Sequence, residues 1–174
     1  MTFASYLSLL RALMIIPIIL LHGHHIIVFL LFLLAAITDW LDGYIARKTK
    51  TETNTGALLD LLADKILVSL SLIWIIFLYQ DPYIFFPSLI IISRELIISS
   101  IRQYIVEKSE GTKIEVSFIG KSKTTLQLIA ISMLFLLPLF EEKFYLLTIS
   151  ILWLSSFISI FSLYTYLLKW KSSL

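Results

Sequence analysis

Four aspartates fall within two strongly apolar stretches of this chain, in the patterns Asp39-x-x-Asp42-Gly43-x-x-Ala46-Arg47 and, eight residues on, Gly56-x-x-x-Asp60-x-x-x-Asp64. Carboxylates in sequence apolar enough to span a bilayer are costly to bury and mark chemistry or ion binding. On helices, the three- and four-residue spacings set Asp39 beside Asp42 on one face and Asp60 beside Asp64 on another. The polar stretch 48–55 between them predicts an antiparallel helix hairpin whose turn lies in water. Counting back from Arg47 and forward from Gly56, both pairs lie about 6 to 12 Å below that turn. Four like charges at one depth repel and take up protons unless a cation compensates them. Oxygen-only ligation in a chain with no cysteine suits Mg²⁺ or Mn²⁺, ions that commonly grip phosphate groups. The competing reading, carboxylates pairing with Lys65, Arg47 or backbone as packing contacts, explains one or two ion pairs but not this spaced set.

The elements that must position these acids follow from composition. In 174 residues the chain is 59% hydrophobic, with a mean hydropathy of +0.93, which excludes a soluble domain of this size. Apolar runs at 5–22, 25–47, 56–79, 83–107, 117–138 and 144–168 each approach the roughly 20 residues needed to cross the hydrocarbon core. The expected fold is therefore all-α: a polytopic membrane protein forming a six-transmembrane-helix bundle, with residues 1–174 as one membrane domain. Gly23, Pro82 and Glu141-Glu142 mark short loops. Histidines rather than a small-residue cleavage site follow the first run, which reads as retained rather than as a removed signal. Its apolar core from Ala12 to Leu21 is short. Residues before Arg11 are expected to lie along the interface, with the arginine snorkelling to headgroups.

Lysine and arginine gather at the 48–55 turn, around Lys108 to Lys123, and at Lys169 and Lys171, which assigns those regions and both termini to the cytoplasm. The acidic site then opens to the cytoplasm. A net charge of +2 and a pI near 8.8 accord with anionic lipid nearby, and no basic-aromatic pattern points to nucleic acid. His22, His24 and His25 fall in a loop opposite the acids and read as solvated. Trp74, Tyr79, Trp153, Tyr164, Tyr166 and Trp170 read as interfacial anchors.

At every fixed position, Asp39 to Asp64 resembles the signature of the CDP-alcohol phosphatidyltransferases, membrane enzymes of phospholipid synthesis. The resemblance implies transfer of a phosphatidyl group from a CDP-linked lipid to an alcohol, with CMP leaving, in a six-helix and usually dimeric fold. It further implies that Asp39, Asp42 and Asp60 ligate one or two divalent ions, Mg²⁺ or Mn²⁺. Asp64 would act as base toward the attacking hydroxyl and could also touch metal. Gly43 and Ala46 share the helix face of Asp39, and their small side chains would let a nucleotide approach the backbone beside Asp39 and Gly56; close helix packing is the alternative use. Arg47 would hold a phosphate.

A second stretch, Ser93-Arg94-Glu95, Arg102 and Val116 through Gln127, is similar to the bacterial phosphatidylglycerophosphate synthases within that family. This likeness, running from about residue 7 to 135, includes Ser8-x-x-Arg11 and Pro17. It implies CDP-diacylglycerol as donor, glycerol 3-phosphate as acceptor and the bacterial inner membrane as location. That branch usually carries Asn-x-Pro before its first helix, whereas Thr2 and Ala4 stand here. A phosphorylated acceptor needs cations beside the acidic site, and Arg94, Arg102, Lys121 and Lys123 are the candidates. Lys121 and Lys123 suit lipid headgroups equally well. Glu95 reads as a charge partner. Lys65, about 100° around the helix from Asp64, falls outside the site on this reading. Rival readings are another acceptor (inositol phosphate, serine or phosphatidylglycerol), a cation transporter and an inactive membrane scaffold. A transporter gives no reason for Gly43, Ala46, Arg47 and Gly56 at fixed spacing.

Overall fold

A computed structural model describes the backbone of residues 3–49, 54–108 and 118–171, and the side chains of residues 6–38, 59, 61–101, 103 and 124–168. All regular structure among them is helical: α1 (Phe3–Leu13), α2 (Ile15–Leu20), α3 (His25–Thr49), α4 (Asn54–Tyr79), α5 (Pro82–Lys108), α6 (Phe118–Leu136), a 3₁₀ turn (Leu137–Leu139) and α7 (Glu142–Lys171). The described part of α4, and α5 and α7, carry stretches long and apolar enough to cross a membrane, at Leu61–Tyr79, Pro82–Ile101 and Glu142–Leu168. Only 33% of each such stretch is buried within the protein, leaving most of its apolar surface facing outward, as contact with hydrocarbon requires.

The first apolar run departs from expectation. Leu13 and Ile15 belong to separate helices, and the cause is Pro17, which has no N–H to give the Leu13 carbonyl and whose ring crowds it. The break is slight, because Met14 N–H still donates to Leu10 O at 3.0 Å and Ile18 N–H to Met14 O at 3.3 Å. Along this bent rod Ser8, Arg11, Ile15 and Ile18 recur at three- and four-residue intervals, all buried. α1 packs chiefly on α4, and α2 packs on α3 and α4. Arg11 is therefore not turned outward to lipid: at 1% exposure it faces the protein interior, because the face that carries it is the face that meets the bundle. It holds a polar or electrostatic contact there, as a buried cation must.

Between α4 and α5 the chain reverses through Gln80 and Asp81. Gln80 adopts φ 48°, and Asp81 accepts from Tyr83 N–H at 2.8 Å, capping the start of α5. The other Asp81 oxygen accepts from Tyr145 O–H at 2.5 Å, tying this turn to α7. The core runs through the bundle as Ile18, Phe32, Leu72, Ile84, Leu134 and Leu152 with their neighbours. α7 packs along both α5 and α6, and α3 packs along α6.

Candidate active site

The signature residues occupy two consecutive helices. Asp39, Asp42, Gly43, Ala46 and Arg47 fall in α3; Gly56, Asp60 and Asp64 fall in α4. Both segments are helical, so the spacings read from the sequence hold along the backbone. The side chains of Asp39, Asp42, Gly43, Ala46, Arg47, Gly56 and Asp60 lie outside the described residues, as do those of Arg102, Lys121 and Lys123 and part of the connecting turn.

Asp64 is the signature acid whose surroundings are described. It is half-buried and lines a cavity of about 50 Å³ with Lys65, Val68, Glu95, Thr124 and Gln127. Three helices thus meet at Asp64: its own α4, then α5 through Glu95 and α6 through Thr124 and Gln127. The space suits a few water molecules or the end of a polar ligand. Asp64, Lys65, Glu95 and Thr124 each hold further polar or electrostatic contacts.

The wall formed by α5 and α6 is held from behind by α7. Arg94 is buried, and its Nη1 donates to Glu95 Oε1 at 3.1 Å, making Glu95 its charge partner. Its Nε donates to the Ser159 carbonyl at 3.2 Å and its Nη2 to Ser162 Oγ at 2.8 Å. Gln127 Nε2 donates to Ser159 Oγ at 3.2 Å, and that hydroxyl donates onward to the Ser155 carbonyl at 2.8 Å. Arg94 thus lies deep, as its place in the fourth apolar run required, with its guanidinium turned to α7 and Glu95.

Lys65, Glu95, Thr124 and Gln127 share the Asp64 cavity, although sequence reading left Lys65 outside the site and gave no role to the last two. The available signal was Gln127 itself: an amide amid apolar residues of a membrane helix is costly without a partner. The histidine loop lies apart from this site. His22 and His24 are exposed, and His22 Nδ1–H donates to Ile19 O at 3.1 Å while its ring meets Trp74 edge-on at 5.7 Å. Among the described residues no three His, Asp or Glu side chains form a metal cage. The signature's own donor set is all carboxylate oxygen, the chemistry that fits a hard divalent ion.

Among the described residues, Asp64 and Lys65 of α4, Glu95 of α5, and Thr124 and Gln127 of α6 form a small polar site in an otherwise apolar helical protein. The family model for CDP-alcohol phosphatidyltransferases matches residues 1–161, and the chain belongs to that family. Among curated relatives it is similar to the CDP-diacylglycerol–glycerol-3-phosphate 3-phosphatidyltransferase of Haemophilus influenzae, at 41% identity over 145 residues, covering 83% of this chain and 77% of the relative. The enzyme of the same name from Wigglesworthia glossinidia brevipalpis is 41% identical over 145 residues, covering 82% and 78%. That from Pectobacterium atrosepticum is 36% identical over 138 residues, covering 79% and 75%.

Proposed function

We propose that this protein transfers the phosphatidyl group of CDP-diacylglycerol to glycerol 3-phosphate, giving phosphatidylglycerophosphate and CMP. The observation that carries the reading is the complete Asp39–Asp64 signature in a chain 41% identical to a relative named for this reaction. The setting we infer is a six-span homodimer in the bacterial inner membrane, one domain per chain, with its acids toward the cytoplasm. The lysine and arginine bias of the 48–55 turn and of residues 108–123 supports that orientation.

In this mechanism Asp39, Asp42, Asp60 and Asp64 hold Mg²⁺ or Mn²⁺. The bound ion supplies polarisation of the donor phosphoryl group and stabilisation of departing CMP. Gly43 and Ala46 give the cytidine a shallow helix face beside Asp39 and Gly56, and Arg47 binds donor phosphate. Asp64 takes the proton of the acceptor's primary hydroxyl as the new O–P bond forms and the P–O bond to CMP breaks. Arg102, Lys121 and Lys123 draw the acceptor phosphate toward the site. Arg94 contributes its charge at longer range, since Nε, Nη1 and Nη2 already bond within the protein.

The test is CMP release and lipid product from detergent-purified protein with CDP-diacylglycerol, Mg²⁺ or Mn²⁺, and glycerol 3-phosphate, serine, inositol phosphate or phosphatidylglycerol offered separately. Phosphatidylglycerophosphate formed with glycerol 3-phosphate alone is the expected result. Product with a different alcohol would overturn the acceptor, and no product with any would overturn the reaction.

A further inference from the structure

The reaction as proposed uses α3 to α6 and gives α7 no part, yet α7 turns a polar face inward. Thr148, Leu152, Ser155, Ser159 and Ser162 recur at alternating intervals of four and three residues, and all are buried. In a helix surrounded by hydrocarbon, serines gathered on the protein side serve hydrogen bonding to neighbouring helices. Ser159 is the centre of that bonding. Its hydroxyl accepts from Gln127 and its carbonyl accepts from Arg94, whose guanidinium in turn holds Glu95. Gln127 and Glu95 are the two side chains that line the Asp64 cavity from α6 and α5 and are anchored to this network.

We propose that Ser159 is a positioning residue for acceptor binding: its hydroxyl holds Gln127, which with Glu95 forms the wall of the Asp64 cavity against which the acceptor's hydroxyls are oriented. The proposal rests on the reading that Asp64 faces the acceptor. An amide and a carboxylate at fixed positions are suited to a polyol, since each can bond a hydroxyl that an apolar wall would leave unpaired. On the proposed function the donor's nucleotide is taken by Gly43 and Ala46 of α3, which are not part of the α5–α6 wall, so disturbing that wall is expected to affect the acceptor rather than the donor.

The test compares Ser159→Ala, Gln127→Ala and the double variant in full-length protein, with both substrates titrated. Ser159→Ala is expected to raise KM for glycerol 3-phosphate about fivefold to tenfold, the effect of one misplaced hydrogen bond, with KM for CDP-diacylglycerol changed less than twofold. The double variant is expected to match Gln127→Ala alone, because the two act as one unit. Ser159→Thr, which keeps the hydroxyl, restores the wild-type acceptor KM. Ser155→Ala, which removes a buried hydroxyl that bonds nothing, leaves both constants unchanged. Should Ser159→Ala not fold, Ser159→Cys keeps a side chain of similar shape with a sulfur that accepts only weakly from Gln127, and must show the same selective rise. Multiplying effects in the double variant, or equal changes for both substrates, would overturn the proposal. Wild-type turnover by Asp64→Asn would remove the base assignment yet leave the Ser159–Gln127 coupling to be read independently.

Discussion

The helices α3 and α4 and the group α5 to α7 both carry polar residues in apolar sequence, and they differ in how that polarity is met. Four aspartates share 26 residues of the first, all of one sign, and on the proposed function they would take a cation from outside. The second joins Arg94 to Glu95, Ser159 and Ser162, and Gln127 to Ser159, so its buried guanidinium and amide are bonded within the chain itself. On the proposed function, a site that captures charged ligands draws its compensating charge from outside, while the charged and amide groups of the wall behind it bond within the chain. Removing a group should therefore cost activity in the first region and shape or stability in the second.

The largest break in this contrast comes from taking away the cation. Chelation with EDTA is expected to reduce CMP release to background, with Mg²⁺ or Mn²⁺ restoring it and the helical circular dichroism unchanged throughout. Asp64→Asn comes next: a turnover loss of about 10²- to 10⁴-fold, the usual contribution of a general base, in a protein that still elutes as the folded species. In the scaffold, Arg94→Ala removes the ion pair to Glu95 and the bonds to two α7 acceptors. A thermal-shift assay should show about 1 to 2 kcal/mol of lost stability, the scale of interhelical hydrogen bonds in bilayers, together with a partial fall in CMP release. The smallest effect belongs to Tyr145→Phe, which loses the bond to Asp81 at the far end of the bundle. About 0.5 to 1.5 kcal/mol of stability should go, with turnover kept.

The same contrast explains what could be read without a structure. Aspartates at three- and four-residue spacing announce themselves because charge in apolar sequence is rare, and the runs 25–47 and 56–79 on either side of the polar turn foresaw α3 and α4, each of which extends two residues further into that turn. α7 was legible only as an apolar run. Its inward face holds serines and its outward face holds Phe157, Ile160, Phe161 and Leu168, so the usual rule that hydrophobic positions point inward is reversed in lipid. Arg11 misled for a related reason. Basic residues near a short apolar core ordinarily reach for headgroups, and the burial of this one depends on α1 lying against α4, a contact between segments about fifty residues apart.

The order of the helices in the chain has a consequence for biogenesis. Arg94 and Gln127 enter the membrane on α5 and α6 before the serines that satisfy them have been synthesised. Until α7 leaves the ribosome, the insertion machinery must accommodate a guanidinium paired with Glu95 of α5 and an amide, both lacking the acceptors that α7 will bring. A nascent chain stalled before Ser159 would carry every signature aspartate and still lack the cavity wall, so it would be a substrate for membrane quality control rather than a partly working enzyme.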